Sequence, residues 1–180
     1  MSSASPFTLV RLAPLCLGLI VLSLDFVSKL WVNQFIPVMK NAFAWYPYGG
    51  IGVFKNFMGI EFSIVYHTNK GAAWGFFADY QEQLLWLRIG LIAALCIYLF
   101  LLNHHKQWEI PLILVLAGAT GNVIDFFLYG HVVDMFHFVF WGYDYPVFNV
   151  ADASICMGIA WLFISTSFAS TASHPKKKKA

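Results

Sequence analysis

Apolar residues in this chain come in long runs and seldom alternate with polar ones. Four stretches, near 9–31, 84–102, 108–127 and 147–168, are apolar almost throughout. About 20 residues of α-helix cover the roughly 30 Å of a bilayer's hydrocarbon. The pattern therefore predicts an all-α membrane protein, a four-transmembrane-helix bundle, with residues 1–180 forming a single integral membrane domain. The long connection 32–83 reads differently. Its stretch Phe57-Met58-Gly59-Ile60-Glu61-Phe62-Ser63-Ile64-Val65-Tyr66 is rich in aromatic and β-branched residues with partial alternation, which predicts a small external β-sheet. Gly49, Gly50 and Gly52 mark a turn before it, and Asn69-Lys70-Gly71 another after it. The chain shows no internal repeat.

Composition agrees with the pattern: 59% of the residues are hydrophobic, 18% aromatic and 11% charged, against roughly 25% charged in an ordinary soluble domain. The net charge of +2 owes much to the terminal run Lys176 to Lys179, so no nucleic-acid partner is expected. That run reads as a topogenic or anionic-lipid-binding tail, which makes membrane lipids the expected surroundings. Cys16, Cys96 and Cys156 lie separately in apolar segments without CxxC spacing, and small buried apolar residues is the expected description. The first apolar stretch continues past Asp25 to Trp31 with no small-residue exit, so a retained anchor is expected in place of a cleaved signal. Cys16 follows the bulky Leu15 and does not look like an acylation site.

Charge placement sets the orientation. Arg11 precedes the first span, Lys106 with His104 and His105 fills the tight connection between the second and third, and the lysine run follows the fourth. The positive-inside rule makes all three cytoplasmic, with both termini inside. Asp25, Asp125, Asp134, Asp152 and Arg88 then fall in one layer at the outer membrane face. An aspartate toward the middle of a span costs on the order of 2.5–3.5 kcal/mol, so acids gathered there mark a site.

Asp134 and Asp152 are the best candidate pair, closing Gly-His-Val-Val-Asp (130–134) and Phe-Asn-Val-Ala-Asp (148–152). Two carboxylates within hydrogen-bonding reach share a proton, one held low and the other raised. Such a dyad activates water against a peptide carbonyl, with no metal, cofactor or covalent nucleophile required.

The surrounding motifs are Asp25 with Ser28-Lys29, Asn69-Lys70-Gly71-Ala72-Ala73-Trp74-Gly75, Gly121-Asn122-Val123-Ile124-Asp125 and the two pentapeptides above. In this order, through nearly the whole chain, they resemble the lipoprotein signal peptidases, or signal peptidase II, membrane aspartic endopeptidases of bacteria. The resemblance implies a multi-pass protein of the bacterial cytoplasmic (inner) membrane that cuts prolipoprotein substrates before a diacylglyceryl-modified cysteine, with Asp134 and Asp152 as the dyad. It implies that Asn122, Asp125 and Asn149 hold the dyad or the substrate backbone, that Asp25 supports the site, and that Asn69 belongs to a flap. Gly71 and Ala151 complete the supporting set. A monomer is expected.

Three positions depart from the family's pattern. Phe126 stands where the family usually has arginine, Trp74 replaces the usual phenylalanine, and the segment between Asp25 and Asn69 is longer. Arg88 and Lys29 are the cations available in place of the missing one.

Two other readings compete. One is a proton-coupled transporter built on the intramembrane acids, which acids gathered at one face argue against; the other is an inactive scaffold, against which the intact dyad counts. Asp152 at the start of a span would also serve as a helix-capping acid. His131 and His137 flank Asp134 but bring no second motif at ligand spacing, so a metal centre is not expected. Tyr143-Asp144 reads as a loop acid.

Overall fold

The computed structural model describes residues 12–39, 45–70 and 80–172, with side chains through 167. In chain order these form α1 (Leu12–Phe35), β1 (Ile51–Phe57), β2 (Ile60–Asn69), α2 (Gln81–Ile97), α3 (Glu109–Tyr129), β3 (Val132–Phe140), β4 (Tyr143–Asp144) and α4 (Val150–Ala172). A wider turn over Tyr98–Leu102 extends α2, and a short turn over Lys106–Trp108 leads into α3. All four helices are long and apolar enough to cross a membrane. A helix suits that solvent because it satisfies its own backbone polar groups where lipid offers none.

The helices are not equivalent. Half of the apolar window of α3 is buried (50%), against 22% for α1, 11% for α2 and 17% for α4. Helix α3 is thus the centre, packed by the other three. Outward residues such as Leu19, Leu24, Trp86, Leu91 and Phe163 are exposed, as expected of faces whose solvent is lipid. Cys16 and Cys156 also face outward and Cys96 is half-buried, so the expectation of three buried thiols is corrected. At one end of the bundle Leu99, Leu112 and Ile113 form an apolar core between α2 and α3.

At the other end α3 stops at Gly130, whose φ of 72° is left-handed and whose N–H donates to the Phe126 carbonyl at 3.0 Å. A glycine takes this conformation without Cβ strain. The chain turns at once into β3, which carries Asp134 back over the end of the bundle. The sheet is antiparallel, in the order β1-β2-β3-β4. In its register Phe62 faces Phe138 and Ser63 faces His137, whereas His67 faces Asp134. One extra residue of β2 between Ile64 and His67 bulges, resetting which side chains face the bundle. A core of Val32, Ile36, Tyr66, Val133 and Met135 binds the sheet to α1.

The sheet exceeds expectation. Besides 57–66 it recruits 51–56, which puts Gly52 in β1 opposite Ser63 and not in the expected turn, and 132–144, because the near-continuous apolar run of β3 lacks clear alternation. The molecule is therefore a helical bundle capped by a four-stranded sheet, a broader architecture than all-α. Of the expected flap, Asn69 and Lys70 are described, while Gly71 and the rest of the motif lie outside the described residues.

Candidate active site

The start of α4 explains half of the site. Asn149 occupies the position before the first turn, and its Oδ1 accepts the Asp152 N–H at 2.8 Å. In return Asp152 Oδ2 accepts the Asn149 N–H at 3.3 Å. This reciprocal pair satisfies two backbone donors that a helix start leaves without internal partners, the logic of a capping box. A third donor, the Ala151 N–H, goes to Asp25 Oδ1 on α1 at 2.8 Å. Capping leaves Asp152 a second oxygen, Oδ1, which accepts the Asn122 amide from α3 at 2.8 Å.

Below lies a cation. Lys29, one turn beyond Asp25 on α1, is only 1% exposed, and its ammonium has three donors. It meets Asp25 Oδ2 at 2.7 Å, Asp125 Oδ2 at 2.8 Å and Asn122 Oδ1 at 3.0 Å. Asp125 Oδ2 also accepts the Val133 N–H at 3.1 Å, pinning β3 to α3. Gly121 makes the arrangement possible, since a Cβ there would lie 2.5 Å from Asp25 Oδ2. The sequence places Lys29 in the Asp25 motif and offers it as a stand-in cation, without giving its partners. The signal for its actual role was present in the acid and lysine four apart inside an apolar span, a spacing that puts both on one helix face.

Asp134 is fully buried on β3. Its Oδ1 accepts the Asn149 amide at 2.7 Å and its Oδ2 the Asn69 amide at 3.1 Å. Asn149 thus touches both acids, and its amide also lies 3.2 Å from Asn122 Oδ1. Burial, followed by the charge of Asp152, pushes the Asp134 carboxyl up to about 8, although both amides pull it down. His67 Nδ1 stands 4.0 Å from Asp134 Oδ2, but burial lowers the His67 imidazole. With Asp134 protonated and His67 neutral near pH 7, this contact is a neutral one.

Asp25, Asn69, Asn122, Asp125, Asp134, Asn149, Ala151 and Asp152 thus belong to one bonded network across α1, β2, α3, β3 and α4. Gly71 lies outside the described residues. The flanking histidines go elsewhere: His131 Nε2 meets the Tyr66 hydroxyl at 3.1 Å, and His137 Nε2 meets Asp144 Oδ1 at 2.5 Å. Asp144, read as a loop acid, sits on the short strand β4 with its side chain exposed.

Comparison with known proteins gives a consistent picture. A family model described as Signal peptidase (SPase) II matches residues 17–168. A lipoprotein signal peptidase of Ralstonia nicotianae is 38% identical over 152 residues, covering 82% of this chain and 80% of the relative. One of Burkholderia multivorans is 35% identical over 156 residues, covering 84% and 86%. A solved structure described as a bacterial membrane enzyme aligns with a TM-score of 0.77 at 26% identity, covering 93% of this chain and 94% of its own.

Proposed function

This chain belongs to the signal peptidase II family, and we propose that it is an aspartic endopeptidase of the bacterial inner membrane, removing signal peptides from prolipoproteins. The cut falls before a diacylglyceryl-modified cysteine, and Asp134 and Asp152 are the catalytic pair. The chain crosses the bilayer four times as one domain with both termini in the cytoplasm and the dyad facing outward. The observation that carries the reading is the Asn149 bridge, which holds Asp134 Oδ1 at 2.7 Å and pairs reciprocally with Asp152.

The two acids divide the work. Asp152 receives two N–H donors, from Asn122 and the Asn149 backbone. It is the base that takes a proton from water. Asp134, pushed up to about 8, holds a proton at pH 7. It hydrogen-bonds the developing oxyanion with that proton as the tetrahedral centre forms, and the proton that Asp152 took from water passes to the leaving amine, which returns both acids to their starting states. Lys29 pairs with both Asp25 and Asp125, so its one positive charge offsets part of the negative charge that these acids place beneath the dyad. Acyl chains stay in lipid while the scissile bond sits at the rim, and no water has to reach the bilayer centre.

The transporter reading needs a polar route through the bundle. Glu109 is buried at the far end of α3, but between it and Gly121 that helix buries only Pro111, Leu112, Ile113, Leu114, Ala117 and Gly118. This apolar stretch favours the peptidase. The test is cleavage of a diacylglyceryl-modified prolipoprotein peptide by purified protein. Asp134→Asn and Asp152→Asn each lower kcat by about 10²–10⁴-fold or more. Cleavage surviving either change removes that residue from the chemistry.

A further inference from the structure

Arg88 is a guanidinium inside a segment apolar enough to span a membrane, a placement that is expensive unless the charge has a task. It lines a cavity of about 370 Å³ between α2, α3 and α4. Leu91, Ile92, Leu95, Val115, Ala119 and Ile155 make the apolar wall, and Arg88 and Asn122 are its polar members. Asn122 donates to Asp152 at 2.8 Å, so the polar end of this cavity is the edge of the dyad. Asp152 and Asp134 both act electrostatically on Arg88. Lys29 cannot serve the cavity in the same way, because Asp25, Asp125 and Asn122 already take its donors.

Building on the peptidase reading, we infer that Arg88 anchors the substrate, its guanidinium donating to peptide carbonyls beside the scissile bond while the apolar wall takes adjoining hydrocarbon. A guanidinium suits this because its five donors form a planar fork, able to hold a carbonyl while also facing a carboxylate. Phe126 stands one helical turn beyond Asn122 on α3, on the same helix face. A cation introduced there reaches toward the same edge of the dyad.

The test uses the full chain in detergent or bilayers with the diacylglyceryl-modified peptide, and reads KM and kcat separately. Arg88→Ala raises KM about tenfold or more and leaves kcat within about threefold, because it removes charge-assisted hydrogen bonds made to bound substrate and transition state alike. Arg88→Lys gives an intermediate KM. Phe126→Arg added to Arg88→Ala brings KM back toward that of the unaltered protein. An unchanged KM overturns the inference. So does a KM that rises only together with a lower thermal midpoint and is restored by neither Arg88→Lys nor the second-site arginine. Failure of the peptidase reading shows separately, as no cleavage by the unaltered protein or cleavage that persists in Asp134→Asn.

Discussion

Strand β3 buries two titratable residues three positions apart, and their surroundings differ. Asp134 accepts two amides and belongs to a network in which Lys29 and Asn149 each serve several acceptors, while Asn122 donates to Asp152 and accepts from both of them. On the other side of the strand His137 bonds Asp144 through Nε2. Its Nδ1 and the hydroxyl of Ser63, the residue opposite, are buried with no hydrogen-bond partner among the described residues. Burial of a polar group is thus not what marks the site. Convergence is: donors from β2, α3 and α4 aimed at two carboxyl groups, with a cation from α1 beneath them.

If the network is what stabilises this end of the bundle, removing its cation gives the largest effect. Lys29→Met leaves Asp25 and Asp125 buried without a counter-charge and costs about 3–5 kcal/mol, the usual penalty for breaking a buried pair from one side. Thermal unfolding in a fixed detergent measures it. Adding Asp25→Asn and Asp125→Asn to Lys29→Met restores much of the loss, since the charges to be balanced are gone. A Lys29→Met protein as stable as its parent would show that the acids are balanced by other means.

The second break separates the two roles of Asn149. Asn149→Ala loses the cap of α4 and the bridge together, at about 1–2 kcal/mol for the cap with a large fall in kcat. Asn149→Ser keeps a capping oxygen for the Asp152 N–H but has no amide to reach Asp134. Stability recovers in this variant while kcat stays low. Recovery of both would reduce the bridge to a structural cap.

These two residues also show where the sequence was legible. Asn149 with Asp152, and Asp25 with Lys29, are local patterns: three and four residues apart, each is fixed by helix geometry once the span is recognised. The four long helices follow from run length alone. The partnership of Lys29 with Asp125, 96 positions away in sequence, does not, because only packing of α1 on α3 brings them together. Strand β3 is illegible in the sequence for a related reason. Its pairing with β2 is non-local, and its sequence VVDMFHFVF is apolar on both faces, so the alternation that betrays a half-buried strand is absent.

The third break acts through pH. The Asp134 carboxyl is raised by burial to about 8, so the folded protein keeps a proton that the unfolded chain gives up in the ordinary carboxylate range. Its contribution to stability is complete below that range and is lost as pH rises toward about 8. Activity follows the same proton: kcat falls about tenfold per pH unit above that value, because the neutral acid disappears. Asn69→Ala removes a donor that favours the charged form, and its alkaline limb moves to higher pH. A limb that stays in place would mean another group sets it.

The smallest effect lies on the other side of the strand. Ser63 is fully buried and its hydroxyl has no partner among the described residues, so in the folded protein it has given up water without replacement. In the unfolded chain that hydroxyl is hydrated. Ser63→Ala therefore costs nothing or stabilises by up to about 1 kcal/mol, whereas removing a hydroxyl from a satisfied network would cost a similar amount. Activity stays unchanged, since Ser63 pairs with His137 and not with Asp134. A thermal midpoint that falls by the equivalent of more than about 1 kcal/mol would reveal a partner for the hydroxyl and would bring this patch under the rule that governs the site.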